Sequence, residues 1–102
     1  MSEKQPQPNP LEGWRQEIDR IDTAILDLLA QRFRITEQVG EFKAEHGMPA
    51  YDASREYDQR LRLDQLSMRR GLNTAVVQDI FGFIRDSVKI RHRQIQQKKN
   101  QP

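Results

Sequence analysis

Apolar residues recur along this chain at alternating steps of three and four. From Leu11 the series runs through Trp14, Ile18, Ile21, Ile25 and Leu28, then resumes at Ile35, Val39 and Phe42. That period belongs to a helix presenting one stripe to other helices. Gly47 and Pro49 stop the pattern, which predicts a first helix from Pro10 or Leu11 to about Glu45. A helix of roughly 35 residues is about 50 Å long. It cannot bury such a stripe inside one small domain, so a coiled-coil-like partner is expected.

Two further helices follow. Residues 46–53, HGMPAYDA, form a loop. Asp52 or Ser54 is suited to cap a second helix reaching about Arg70, with Leu61, Leu66 and Met68 as a patchy apolar face and Gly71 beyond its end. Asn73 or Thr74 caps a third helix to about Gln96. Its stripe reads Val77, Phe81, Ile84, Val88, then Arg91, then Ile95. There is no strand-like alternation over a useful length and no internal repeat. The fold class expected is all-α, with three helices ordered long, short, long. Residues 1–10, with Pro6, Pro8 and Pro10, and the polar tail 97–102 are expected to be disordered. Residues 11–96 are then the folded domain.

Two arginines interrupt these stripes. Arg32 occupies the one position that keeps the first rhythm unbroken between Leu28 and Ile35, and Arg91 does the same in the third helix. A guanidinium in an apolar seam is costly unless something pairs with it. A single such arginine reads as a snorkelling side chain, stem buried and head in water. Two on different helices point to a pocket of fixed cations that receives an anion. Lys43 lies eleven residues after Arg32, close to three full turns, so the two point the same way, about 16 Å apart along the axis. Arg15 lies seventeen residues before Arg32, about 26 Å away. It is either a surface residue or part of a site shared with a second chain. The stretch YDASREYD groups Asp52, Arg55 and Glu56, which by themselves read as an N-cap and a solvated turn. Ser87 lies one turn before Arg91, and alone reads as a small packing residue.

Composition narrows the chemistry. The chain has 102 residues, 35% hydrophobic and 31% charged, which is lean for a lone monomer and suits an oligomer. Its formal charge of +2 lacks the strong basic bias of a dedicated nucleic-acid binder. Without cysteine there is neither a disulfide nor a thiolate metal site, and His46 and His92 are too few for a histidine-built one. No apolar run approaches a membrane span. The opening MSEKQPQPNP lacks the apolar core of a secretion signal, so a cytoplasmic protein is expected. No Ser-His-Asp or Cys-His set is readable, no glycine-rich phosphate loop, and no carboxylate cluster with metal-ligand spacing. An enzyme with these tools would hold an anionic substrate in a reactive conformer by charge and shape.

Several segments together resemble the all-helical (type II) chorismate mutases. They are WRQEIDRIDTAILDLLAQRFRITEQVGEFK, the loop with Pro49, DASRE, and DSV in the third helix. The resemblance covers about Leu11 to Gln94. It implies an intertwined homodimer of three-helix chains, with each of two sites taking one arginine from the partner's long helix. It implies the Claisen rearrangement of chorismate to prephenate, on the route to phenylalanine and tyrosine, with no cofactor. Carried onto this chain, Arg15 is the residue contributed across the dimer, and Arg15 and Arg32 clamp the two substrate carboxylates. Lys43 sits on the ether oxygen, whose charge grows as the C–O bond breaks, so its contribution rises in the transition state. Glu56 accepts from the substrate hydroxyl, with Asp52 assisting. Arg55 supports a carboxylate, Ser87 lines the pocket and Val39 packs on the ring. Where the family often has a glutamine one turn after the serine, this chain has Arg91. With a register shifted by one residue, His92 takes that place instead, but the stripe count favours Arg91.

Three other readings compete. Isochorismate-pyruvate lyases look like these mutases but lack the full D-x-x-R-E box that Asp52, Arg55 and Glu56 complete. A mutase of 4-amino-4-deoxychorismate would want a different partner where the hydroxyl sits. A non-catalytic helical dimer, an interaction module or a weak nucleic-acid binder would make the basic third helix, KIRHRQIQQKK, its main feature, with Lys89, Arg93, Lys98 and Lys99 governing a strongly salt-dependent binding.

Overall fold

The Asn9 side-chain oxygen accepts a hydrogen bond from the Leu11 N–H at 3.0 Å. That satisfies one of the orphan donors at a helix start, and Pro10, which has no N–H to lose, opens the helix. The structure, a computed structural model, describes residues 9–101. Among these the chain forms α1 (Pro10–Glu45), α2 (Ala53–Arg69) and α3 (Thr74–Lys99), and no strand. The long, short, long order expected from the apolar rhythm is the one observed. The expected polar lead at 1–10 lies outside the described residues up to position 8, and Pro10 belongs to α1 rather than to the lead.

Both reversals of the chain use the same chemistry. After α1, the Met48 N–H donates to the Lys43 carbonyl at 2.8 Å, with Gly47 at φ +62°. After α2, the Leu72 N–H donates to the Ser67 carbonyl at 2.9 Å, with Gly71 at φ +65°. These are six-to-one closures around a left-handed residue, a conformation that costs glycine nothing. Asp52 caps α2 by accepting from the Arg55 N–H at 3.0 Å, and Asn73 caps α3 by accepting from the Val76 N–H at 3.2 Å. α3 runs three residues past the expected end near Gln96. Gln96, Gln97, Lys98 and Lys99 contain no breaker, and two lysines in the last turn suit the negative end of the helix dipole.

The chain divides at Arg32 into two units, residues 1–32 and 33–102. In the first, the described stretch of α1 leaves its apolar stripe exposed: Trp14, Ile18 and Ile21 are 57%, 54% and 56% accessible. In the second, α2 packs on α3 around Leu63 and Ser67. Gln78 joins these two helices, donating to the Arg60 carbonyl and to Asp64 Oδ1, both at 2.8 Å. α3 also meets the last turns of α1. The His92 ring is buried over Gly40, and its Nε2 lies 2.8 Å from the Thr36 carbonyl oxygen. Further along, Gln96 donates to the Met48 carbonyl at 2.8 Å.

Here the third stripe departs from expectation. Val77, Phe81, Ile84, Val88 and Ile95 are half-buried as read, but the position between Val88 and Ile95 is filled by His92, while Arg91 is exposed. A step of four and then three fits a 3.6-residue turn as well as three and then four. Gly40 decides between them: its missing side chain leaves room for a flat ring.

Candidate active site

The unit of residues 33–102 gathers most of the candidate side chains at the loop before α2. The Schellman closure turns the chain back at Lys43, and the half-buried Lys43 Nζ then lies 3.5 Å from the Ala50 carbonyl oxygen, at the limit of a hydrogen bond. The next residue, Tyr51, places its ring under the Lys89 ammonium, 4.6 Å from Nζ to the centroid. Lys89 in turn meets Glu56 Oε2 at 3.2 Å. One chain of contacts therefore runs from Lys43 through the loop to Glu56.

Glu56 stands in the first turn of α2, four residues past its Asp52 cap. Three cations converge on its carboxylate: Lys89, Arg60 at 3.2 Å and Arg85 Nε at 3.5 Å. Arg60 is one turn along the same helix, and Arg85 and Lys89 are one turn apart on α3, so the α2–α3 packing brings the two pairs together. Arg85 is held by Gln59, whose Oε1 accepts from Nη1 at 3.2 Å. Burial acts to raise the Glu56 carboxyl, but the hydrogen bonds and charges of Lys89 and Arg60 outweigh it, and the group is held below the usual carboxylate range. Glu56 is thus an acceptor at neutral pH.

The other expected residues fall as follows. Asp52 spends one oxygen on its capping bond. Arg55 and Val39 are exposed. Ser87 is exposed, its hydroxyl donating back to the Phe83 carbonyl at 3.1 Å. Arg15 and Arg32 lie in the other unit, on the first stretch of α1, Arg15 exposed and Arg32 half-buried.

Arg91 is not brought to Lys43. Its Nε donates to both oxygens of Glu37 at 3.0 Å, a forked pair at the surface. Glu37 and Lys43 are six residues apart on α1, which is about 120° around the helix. The same hydrogen bonds and charge hold the Glu37 carboxyl below its ordinary value. His92, by contrast, reaches Thr36 and Gly40, which flank the face that carries Lys43. Sequence reasoning did not assign Arg85, Lys89 or Tyr51 to the site. A signal existed in the matched i, i+4 pairs, Glu56 with Arg60 and Arg85 with Lys89, on helices joined by a tight glycine turn. Without the packing register between α2 and α3 it could not be read.

Among the described residues no cluster of His, Cys, Asp or Glu could hold a metal ion, and no helix is long and apolar enough to cross a membrane. What remains is an all-helical protein whose candidate site is a set of cations arranged around one ionised carboxylate. Comparison with known proteins makes this specific. The model of the family "Chorismate mutase type II" matches residues 14–93, and the chain belongs to that family. A T-protein of Haemophilus influenzae is 34% identical over 80 residues, covering 76% of this chain and 21% of its own length. A bifunctional chorismate mutase/prephenate dehydratase of Buchnera aphidicola is 33% identical over 79 residues, covering 78% of this chain and 20% of its own. A T-protein of Enterobacter agglomerans is 46% identical over 46 residues, 45% of this chain and 12% of its own. The chain thus spans about a fifth or less of the length of these relatives.

Proposed function

We propose that this chain converts chorismate to prephenate by holding the substrate in its reactive conformer and stabilising charge as the ether bond breaks. The observation that carries this reading is the contact chain linking Lys43, through the loop, to an ionised Glu56, within a chain of the type II chorismate mutase family. Lys43 supplies the cation for the ether oxygen, where negative charge develops in the transition state. Glu56 accepts from the substrate hydroxyl, and Asp52 and Arg55 border it. Arg32 takes a substrate carboxylate, and Val39 and Ser87 line the ring.

The working unit in this reading is a homodimer, in which the second carboxylate is held by Arg15 of the other chain. Two features support it: the bare stripe from Leu11 to Leu28, and the roughly 26 Å between Arg15 and Arg32 on one helix, too far for a single small ligand. At the place beside Lys43, the alternative left open by the sequence gains support over Arg91. His92 borders the Lys43 face, whereas Arg91 is engaged with Glu37.

The direct test is to incubate the purified chain with chorismate, follow the loss of its ultraviolet absorbance and identify the product. Prephenate is expected. Salicylate from isochorismate, with no prephenate from chorismate, would assign the chain to the lyases instead. The shared site has its own test. Chains carrying Arg15→Ala mixed with chains carrying Arg32→Ala should regain one intact site per heterodimer, and heterodimers without recovered activity would reject it.

A further inference from the structure

The surroundings of Glu56 bear on which substrates the site admits. Glu56 Oε1 faces Arg60 at 3.2 Å and Arg85 Nε at 3.5 Å, and Lys89 reaches both oxygens, at 3.4 Å to Oε1 and 3.2 Å to Oε2. A carboxylate offers about four lone-pair directions. Oε1 is crowded by three cations, while Oε2 meets only Lys89 among the described residues, so a direction is left on Oε2 for a donor from outside. Glu56 itself lines a shallow depression together with Tyr51, Ala53, Tyr57 and Arg60. Around it the charges do not cancel: three cations surround one carboxylate.

Two of these cations, Arg85 and Lys89, are also fixed. Arg85 is 91% buried, since only 9% of it is accessible, and Gln59 holds its guanidinium. Lys89 is pinned between Glu56 and the face of Tyr51. Neither can swing away at small cost when a further positive group approaches. A neutral hydroxyl donates to Oε2 without meeting net repulsion. An ammonium group at the same point gains one carboxylate, already shared, and faces three positive charges at close range.

We propose that Lys89, backed by the buried Arg85, is a specificity-determining residue that makes the Glu56 subsite accept a neutral hydroxyl and reject an ammonium group. This rests on the chorismate reading above and settles what that reading leaves open, the choice between chorismate and its 4-amino-4-deoxy analogue. Lys89 acts through Glu56 and is a positioning residue.

The test compares kcat/KM on the two substrates in the wild-type chain, Lys89→Met and Lys89→Arg. The wild type should prefer chorismate by at least about tenfold. Lys89→Met should narrow that preference about five- to tenfold, as expected for removal of one partly exposed charge a few ångströms away. Lys89→Arg should restore it. A purely structural role for Lys89 would lower both substrates together and leave the ratio unmoved, and that result overturns the proposal. So does a wild type that takes both substrates equally. A wild type that turns over neither removes the chorismate reading itself, and the proposal with it, whereas chorismate turnover with an unmoved ratio removes the proposal alone. A carbon-13 titration of the Glu56 carboxyl in the unliganded protein gives a readout without turnover. Its midpoint should rise in Lys89→Met, and an unchanged midpoint shows that Lys89 does not act on Glu56.

Discussion

Residues 9–32 and residues 33–101 treat their surfaces in opposite ways. The first stretch carries Leu11, Trp14, Ile18, Ile21, Ile25 and Leu28 on one helical stripe, all between 47% and 64% accessible. Its Thr23 hydroxyl donates back within the same helix, to the Asp19 carbonyl at 3.0 Å. The second stretch joins its helices through polar contacts. Glu56 is shared by three cations, Gln78 joins α2 to α3, and His92 and Gln96 join α3 to the end of α1 and the loop. The polar cluster around Glu56 is built inside one chain, while the apolar stripe from Leu11 to Leu28 stays exposed on it. In the proposed dimer, activity depends on assembly.

The largest effect should come from breaking the stripe. Ile21→Asp places a carboxylate in the surface that the proposed dimer buries, a cost of several kcal/mol for an unpaired charge. Sedimentation equilibrium should show monomers, and chorismate turnover should fall at least about a hundredfold because sites would no longer be completed across chains. A fully active dimer in this variant would mean that the stripe is not the interface. The matching cut in the proposed clamp is Arg32→Ala. It should cost about 3–4 kcal/mol of transition-state stabilisation, read from kcat/KM, while circular dichroism stays nearly unchanged. Undiminished turnover would take Arg32 out of the clamp.

Next in size is the packing of α3 on α1. A Cβ added at Gly40 would lie 2.6 Å from His92 Cδ2 and 2.9 Å from Ile95 Cδ1. The ring is buried and bonded to Thr36, so it has little room to yield. Gly40→Ala should destabilise by about 1–3 kcal/mol, the range for overpacking, seen as a lower Tm. His92→Ala in the same background should recover part of the loss. If the double variant melts no higher than Gly40→Ala, the ring is not what fills the space.

That same contact shows where sequence reading reached its limit. The three helices, the Asp52 and Asn73 caps and the glycines at 47 and 71 were legible because each follows from local chemistry: apolar period, a side-chain acceptor before a helix, a residue free to take positive φ. Arg32, Lys43 and the Asp52-Arg55-Glu56 group stood out as cations and carboxylates in unexpected places. Period alone permits either residue 91 or residue 92 in the third stripe, and the choice of His92 depends on Gly40, fifty-two positions earlier. Arg85 and Lys89 went unassigned because they sit on a shoulder of α3 that only the packing of α2 turns into a site. Sequence pattern located the elements; the relation between elements decided which charges meet.

The smallest expected effect separates two carboxylates held below their ordinary value of 4.5. A depressed folded-state pKa means stability that is fully present above the unfolded value and is lost as pH falls through the folded one. Both Glu56 and Glu37 should therefore contribute to acid unfolding from roughly pH 5 downwards, and replacing either with glutamine should flatten that limb of a Tm-against-pH curve. They should differ in size and in salt response. Glu56 has a side chain only 13% accessible, against 36% for Glu37, and it meets three cations rather than one. Salt screens exposed pairs far more than buried ones. Adding salt should erase most of the flattening produced by Glu37→Gln and leave that of Glu56→Gln largely intact. Equal responses to salt would mean that the Glu56 cluster is as open to water as the Arg91 pair. A cluster that open could not hold the fixed charges on which selectivity for a hydroxyl depends.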